Sequence, residues 1–352
     1  MAEIQKDSFS AEPILSGLKK FQRRTVDYVF RRMYLDNDAT ARFLVADEVG
    51  LGKTLVARGV IAKAIEHLRV KLGDKHRIDI VYICSNASIA RQNINRLNVV
   101  GGKGFELASR VTLLPLQLNS MNDSQNRINF VSFTPGTSFD QKSSIGMMDE
   151  RILLYRMLKI PWNLNGVSPL NLLQGNVRSA EHFRQHVLED LRINKEIESR
   201  FSQMVCSTAH AGLRKDFEEL CGQFQRERKS RRPNEQRSER NRIIGLLRAI
   251  LAEVCIDSLE PDLIILDEFQ RFKKLLSDTD ECSQLAQRLF EYVDHKSKTY
   301  ARVLLLSATP YKMYTLRDES TTDEHYSDFM QTYKFLERDS ERQLEFEELL
   351  KK

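Results

Sequence analysis

Ala46-Asp47-Glu48-Val49-Gly50-Leu51-Gly52-Lys53-Thr54, behind the apolar run Phe43-Leu44-Val45 and ahead of a helical pattern from Leu55 to Leu68, decides the fold. The apolar run reads as a buried strand, the pattern after it as a helix, and the glycines as the turn between them. Glycine lets the backbone curl until its N–H groups point at phosphate oxygens, and the N-terminus of the following helix adds partial positive charge. In that setting Lys53 reaches the β- and γ-phosphates of a nucleotide and the Thr54 hydroxyl ligates Mg²⁺. The common pattern GxxxxGK[ST] carries glycine where this chain has Asp47, so the match is imperfect. The alternative is a glycine-rich strand-to-helix turn without a ligand. Glu48, Val49, Gly50, Leu51, Gly52, Lys53 and Thr54 are the candidate nucleotide-binding residues.

Working outward, Ile80-Val81-Tyr82-Ile83, Leu263-Ile264-Ile265-Leu266 and Val303-Leu304-Leu305-Leu306 repeat the apolar strand signal. Val111-Thr112-Leu113-Leu114 and Asn129-Phe130-Val131-Ser132 are weaker strand candidates. Near-continuous apolar runs suit parallel strands covered by helices on both faces, so the alternation predicts a doubly wound α/β sheet. Residues 146–244 break the rhythm. They are polar and charged, with helical patches at Ile152-Leu153-Leu154-Tyr155 and from Phe183 to Leu191, and read as a mainly helical insertion between two core strands. The α/β domain is thus expected over 1–145 and 245–335, with a C-terminal helix over 336–352. Phe346, Leu349 and Leu350 fall on one face of that helix, which has neither a glycine cap nor a proline stop and is expected to continue in a longer protein.

The strand Leu263–Leu266 ends in Asp267-Glu268-Phe269-Gln270. In a P-loop ATPase a carboxylate at that strand tip stands near the Mg²⁺ shell, because a hard cation prefers oxygen ligands. Its neighbour stands beside the attacking water and can orient or deprotonate it. Asp267 and Glu268 are the candidates for these two roles, with Thr54 and Asp267 as the metal ligands. An apolar strand ending in Asp-Glu is common by itself; the glycine loop upstream is what gives it meaning.

Composition narrows the setting. No run of about eighteen apolar residues exists, so no membrane span is expected, and the first residues lack the basic-then-apolar pattern of a secretory signal. The five cysteines are an odd number, scattered, without a CxxC pair, and read as reduced thiols of an intracellular, cytoplasmic protein. A net charge of +5 permits a polyanionic partner without demanding one. Between Arg226 and Arg242 there are eight Lys/Arg against three Asp/Glu, which fits a solvated face or a nucleic-acid contact.

The string DEVGLGKT, with Asp-Glu ahead of the glycines, resembles the nucleotide loop of Swi/Snf-type and RapA-type ATPases of helicase superfamily 2. The resemblance covers about 15–145 and 245–335 and implies a RecA-like P-loop NTPase domain with a mostly parallel sheet. Asp267-Glu268-Phe269-Gln270 stands where such enzymes read DEAD or DEAH, which implies that Gln270 links the γ-phosphate site to the next motif. Leu306-Ser307-Ala308-Thr309-Pro310 looks like their Ser-Ala-Thr motif, whose hydroxyls (Ser307 and Thr309) couple nucleotide state to movement. Leu18-Lys19-Lys20-Phe21-Gln22-Arg23 resembles the element ahead of the loop, implying that Gln22 bonds adenine; an ordinary amphipathic helix is the other reading. Ser85, Asn86 and Arg91 occupy the place of a strand-contacting motif. Thr134-Pro135-Gly136 has the Thr-Pro-Gly core that relatives use for the same purpose, although a Pro-Gly turn serves chain reversal equally well.

The expected ligands are therefore ATP, Mg²⁺ and nucleic acid, with DNA ahead of RNA. Contacts of this kind read the backbone, so weak sequence preference and strong salt dependence follow. The family closes two RecA-like lobes on one ATP, and no Q-x-x-G-R-x-x-R-like segment follows Thr309. The second lobe is expected in cis or in trans, and slow hydrolysis is expected without its arginines. Two other readings stay open: a translocase subunit of a restriction or phage-defence complex, and a non-catalytic module that binds nucleotide and nucleic acid. Small GTPases fit poorly, since no guanine-reading NKxD stands downstream.

Overall fold

The computed structural model describes residues 9–47, 50–73, 76–100, 105–107, 110–122, 127–135, 145–175, 177, 179–225, 233–276, 281–294, 298–307 and 322–350. The chain divides into two compact units. One is built from Met1–Leu107, Asp123–Thr137 and Glu260–Lys352, the other from Ala108–Asn122 and Ser138–Leu259.

The first unit is α/β. Its strands are β1 (Arg42–Ala46), β2 (Ile78–Cys84), β3 (Phe105–Leu107), β4 (Ile128–Phe133), β5 (Pro261–Asp267) and β6 (Arg302–Ser307). They form one sheet in the order β1-β6-β5-β2-β4-β3, and every pairing is parallel. Side chains alternate across the pleat. Ile80, Tyr82 and Cys84 of β2, Leu263 and Ile265 of β5, and Leu304 and Leu306 of β6 join one core with Val26 and Val29 of the helix Lys20–Phe30 and Val56, Val60 and Ile61 of the helix Lys53–Leu72. The intervening Val81, Ile83, Ile264, Leu266, Val303 and Leu305 take the opposite face and are equally buried. Burial on both faces is why these strands read as unbroken apolar runs. Gly59 lets the two helices approach: a Cβ there would stand 2.7 Å from Val26 Cγ2. At the start of β1, the buried Arg42 donates from Nη1 to the Phe335 carbonyl at 2.6 Å and lies 4.1 Å from the centre of the Phe335 ring, which ties the helix Thr322–Leu336 to the sheet.

Register decides what the sheet presents at its C-terminal edge. Ala46 pairs with Ser307, Leu306 with Asp267, Asp267 with Cys84, and Ile83 with Phe133. The loops after β1, β6, β5, β2 and β4 therefore leave the sheet side by side. Ligands of open parallel sheets bind outside this edge.

The second unit is helical: Leu114–Asn122, Met148–Lys159, Ser168–Leu173, Ala180–Leu188, Lys195–Val205, Ala211–Gly222 and Asn234–Ser258. Ser179 and Asn194 cap two of these helices through side-chain oxygens. Its interior holds Trp162 against Phe217, with ring centres 5.2 Å apart, and a buried ion pair between Glu150 and Arg248.

Two expectations change here, and one strand is new. Val111–Leu114 is not a strand. Val111–Leu113 forms a 3-10 turn that runs into the helix Leu114–Asn122. Val111, Leu113 and Leu114 are buried, and a short buried apolar run does not by itself distinguish strand from helix; Pro115 in the first helical turn favours the latter. The boundary between 244 and 245 falls inside the helix Asn234–Ser258, so the helical unit extends to Leu259 and also takes in 108–122. The short β3 carried no recognisable apolar signal. Among the described residues no helix is long and apolar enough to cross a membrane.

Candidate functional site

The turn between β1 and its helix is held by glycine geometry. Gly50 and Gly52 lie at φ +90° and +85°, a region that L side chains rarely adopt. Gly52 caps the helix Lys53–Leu72, and its carbonyl accepts from Leu55 N and Val56 N. The first N–H groups of such a helix lack intrahelical acceptors, and the helix adds partial positive charge there. Lys53 Nζ donates to the Asp47 carbonyl at 2.9 Å, closing the loop on itself. Asp47 N in turn donates to the Ser307 carbonyl at 3.2 Å, which binds the loop to the end of β6. Thr54 is the second residue of the helix. Glu48 and Val49 lie outside the described residues.

Gln22 sits against this loop and is almost fully buried. Its Nε2 donates to the Leu51 carbonyl at 3.0 Å and its Oε1 accepts from Lys19 N at 3.0 Å. Each end of the carboxamide thus serves the protein once, which orients it and leaves one N–H of Nε2 and one lone pair of Oε1 for a further contact. Gly52 packs so closely on Gln22 that a Cβ would stand 2.5 Å from Nε2.

Asp267 ends β5 and is buried. Burial pushes its carboxyl above the ordinary carboxylate range, and the neighbouring Glu268 adds to this, while the Tyr82 hydroxyl bond and the Lys53 charge act against it. Glu268 lies at φ +53°, which turns its side chain off the strand line. Its Oε2 is 3.0 Å from Arg271 Nε and accepts from Ser85 Oγ at 3.5 Å.

Ser307 is buried at the end of β6. Among the described residues Ser307 Oγ and Gln270 Oε1 are buried without a hydrogen-bond partner. Buried polar atoms ordinarily have one. Thr309 lies outside the described residues. Among the nucleic-acid candidates, Asn86 caps the helix Ala87–Leu97 by accepting from Ser88 N at 2.8 Å, and Thr134 directly follows β4. The Arg91 side chain and Gly136 lie outside the described residues.

Sequence reasoning missed Tyr82, Asn93 and Arg271, which hold the two carboxylates. A tyrosine in an otherwise aliphatic strand was the one signal that could have drawn attention to Tyr82. Among the described residues no cluster of three or more His, Cys, Asp or Glu gathers as a metal cage. Mg²⁺ does not need one: one or two carboxylates, waters and phosphate oxygens suffice, and Asp267 with Thr54 are donors of that kind. No family model, no curated protein and no solved structure matches the chain.

Proposed function

We propose that the α/β unit is a RecA-like, P-loop ATP-binding lobe of a superfamily 2 type, nucleic-acid-dependent ATPase, acting on DNA in a cytoplasmic setting. The observation that carries this reading is the strand register. It sets the Gly50-Leu51-Gly52-Lys53 turn, the Asp267-Glu268 pair and Ser307 on the adjacent ends of β1, β5 and β6. Lys53 and the helix N-terminus hold the phosphates of ATP. Thr54 and Asp267 hold Mg²⁺, which supplies charge neutralisation on those phosphates. Glu268 orients the attacking water, and Gln270, Ser307 and Thr309 relay the state of the γ-phosphate. Gln22 reads adenine through the donor and acceptor that its bonds to Leu51 and Lys19 leave free. Ser85, Asn86 and Thr134, on neighbouring strand ends, supply contacts to the nucleic-acid backbone, with Arg91 and Gly136. The arginines of a second lobe, in cis or in trans, complete the site for fast turnover.

The test is ATP binding and turnover by the 352-residue chain and its Glu268→Gln variant, with and without double-stranded DNA. The expected result is Mg²⁺-dependent binding by both proteins and slow turnover by the parent, falling on the order of 10²-fold in the variant. Failure of the parent to bind ATP would overturn the reading. Fast DNA-stimulated turnover would overturn the need for a second lobe. One observation favours a second reading, a binding module without turnover: Arg271 already engages Glu268. The same assay separates the two, since such a module turns over no faster than its Glu268→Gln variant.

Gly52→Ala tests the loop. A side chain at φ +85° is strained by roughly 1–3 kcal/mol, and here it also displaces Gln22. ATP affinity is expected to fall about tenfold or more, as read by titration with a fluorescent ATP analogue. An affinity equal to the parent's would show that this turn does not shape the site.

A further inference from the structure

The end of β2 and the helix that follows it reach Asp267 with two donors that no motif announces. The Tyr82 hydroxyl donates to Asp267 Oδ2 at 2.6 Å. Asn93, in the second turn of the helix Ala87–Leu97, donates from Nδ2 to the Tyr82 hydroxyl oxygen at 3.1 Å and to Asp267 Oδ2 at 3.3 Å. The three groups close a triangle, with Tyr82 only 2% exposed. Sheet register makes the triangle possible: Tyr82 pairs with Ile265, two residues short of Asp267, and a phenol is long enough to span that rise.

A short O–H bond to a carboxylate is a strong, directional one, and two donors meeting on a single oxygen fix the rotation of the whole group. Carboxylates that ligate metals are commonly held in this way by partners that never touch the metal, and loss of such a partner typically weakens metal affinity 10- to 100-fold. Resting on the reading of Asp267 as the metal carboxylate, we infer that Tyr82 and Asn93 are its positioning residues and set how strongly Mg²⁺ is held with the nucleotide. Neither residue contributes to nucleotide binding in the absence of metal. The two act as one unit, because Asn93 bonds the hydroxyl that Tyr82 presents.

The experiment titrates a fluorescent ATP analogue into the full chain and its Tyr82→Phe, Asn93→Ala and doubly substituted forms, once in EDTA and once in saturating Mg²⁺. Tyr82→Phe keeps the buried ring, and Asn93→Ala keeps a good helix former. In EDTA all forms are expected to bind as the parent does, which also serves as the check on folding. In Mg²⁺ the gain in affinity is expected to fall about tenfold in each single variant, with the double variant close to the singles rather than at their product. An unchanged Mg²⁺ gain in both single variants overturns the inference and leaves the proposed function standing. A loss equal in EDTA and in Mg²⁺ marks a purely structural role and overturns it as well. A parent chain that binds the analogue in neither condition overturns the proposed function, and this inference with it.

Discussion

Lys53→Ala is expected to lower the affinity of the chain for Mg-ATP on the order of 10²-fold. Hydrogen bonds to charged groups are worth roughly 1.5–3 kcal/mol each, and loss of a lysine that serves two phosphates corresponds to about 3 kcal/mol or more. The structure adds a reason for the effect to stay within binding. Lys53 Nζ bonds the Asp47 carbonyl in a partly buried contact, so truncation there removes a hydrogen bond to a neutral backbone acceptor and not a direct ion pair with a buried carboxylate. Thermal stability without ATP should therefore change little, while the rise in melting temperature on adding Mg-ATP should vanish. Isothermal titration beside a melting curve gives both readouts. An affinity within threefold of the parent would show that this lysine does not face phosphate.

The second large effect concerns stability and lies in the helical unit. Arg248→Ala is expected to destabilise that unit by about 3 kcal/mol, the lower end of the usual effect of breaking a buried ion pair, because Glu150 loses its closest charged partner and keeps Arg110, whose Nε is 3.8 Å from Oε2. Glu150 and Arg248 are 0% and 1% exposed. Arg248 Nε and Nη2 lie 3.0 and 2.9 Å from Glu150 Oε1, while Thr112 Oγ1 donates to the same oxygen at 2.6 Å and Met147 N to Oε2 at 2.6 Å. Gly146 sits against the pair, where a Cβ would stand 2.3 Å from Arg248 Nε. The single tryptophan of the chain, Trp162, is buried in this unit, so its fluorescence during urea unfolding reports on the right transition. Arg242→Ala is the control: Arg242 pairs with Asp216 and Glu239 at the surface, where such bridges contribute about 0–1 kcal/mol. Glu150→Leu combined with Arg248→Met is expected to be milder than Arg248→Ala alone, because the fully buried carboxylate and guanidinium leave together and only the less buried Arg110 loses an ion pair. A shift below about 1 kcal/mol for Arg248→Ala would show that Arg110 or water compensates the Glu150 charge.

The two effects differ in how visible they were beforehand. Lys53 stands in a string whose spacing and residue types carry their own chemistry. Glu150 and Arg248 are ordinary charged residues in a stretch that reads as polar, and nothing local marks them as a buried pair. The same contrast runs through the site. Asp267 and Glu268 follow an apolar strand, and their position at a strand end is legible. Tyr82 and Asn93 meet Asp267 across 185 and 174 positions of sequence, and only strand pairing brings them within bonding distance. Gln22 shows a third case. Its carboxamide donates to the Leu51 carbonyl and accepts from Lys19 N, a detail set by side-chain packing.

The sequence by itself determined the α/β class, four of the six strands plainly and β4 more faintly, the glycine turn ahead of a long helix, and the acids at the tip of β5. These are local properties: burial on both faces writes continuous apolar runs, and a left-handed turn demands glycine where it stands. Only the tertiary structure decided the strand order, the alignment of strand ends along one edge, the helical fate of Val111–Leu114, the extent of the helical unit, and the hydrogen-bonded triangle on Asp267. Each of these depends on partners far apart in the chain. Their energies arise from packing and register between elements, to which no single stretch of sequence has access.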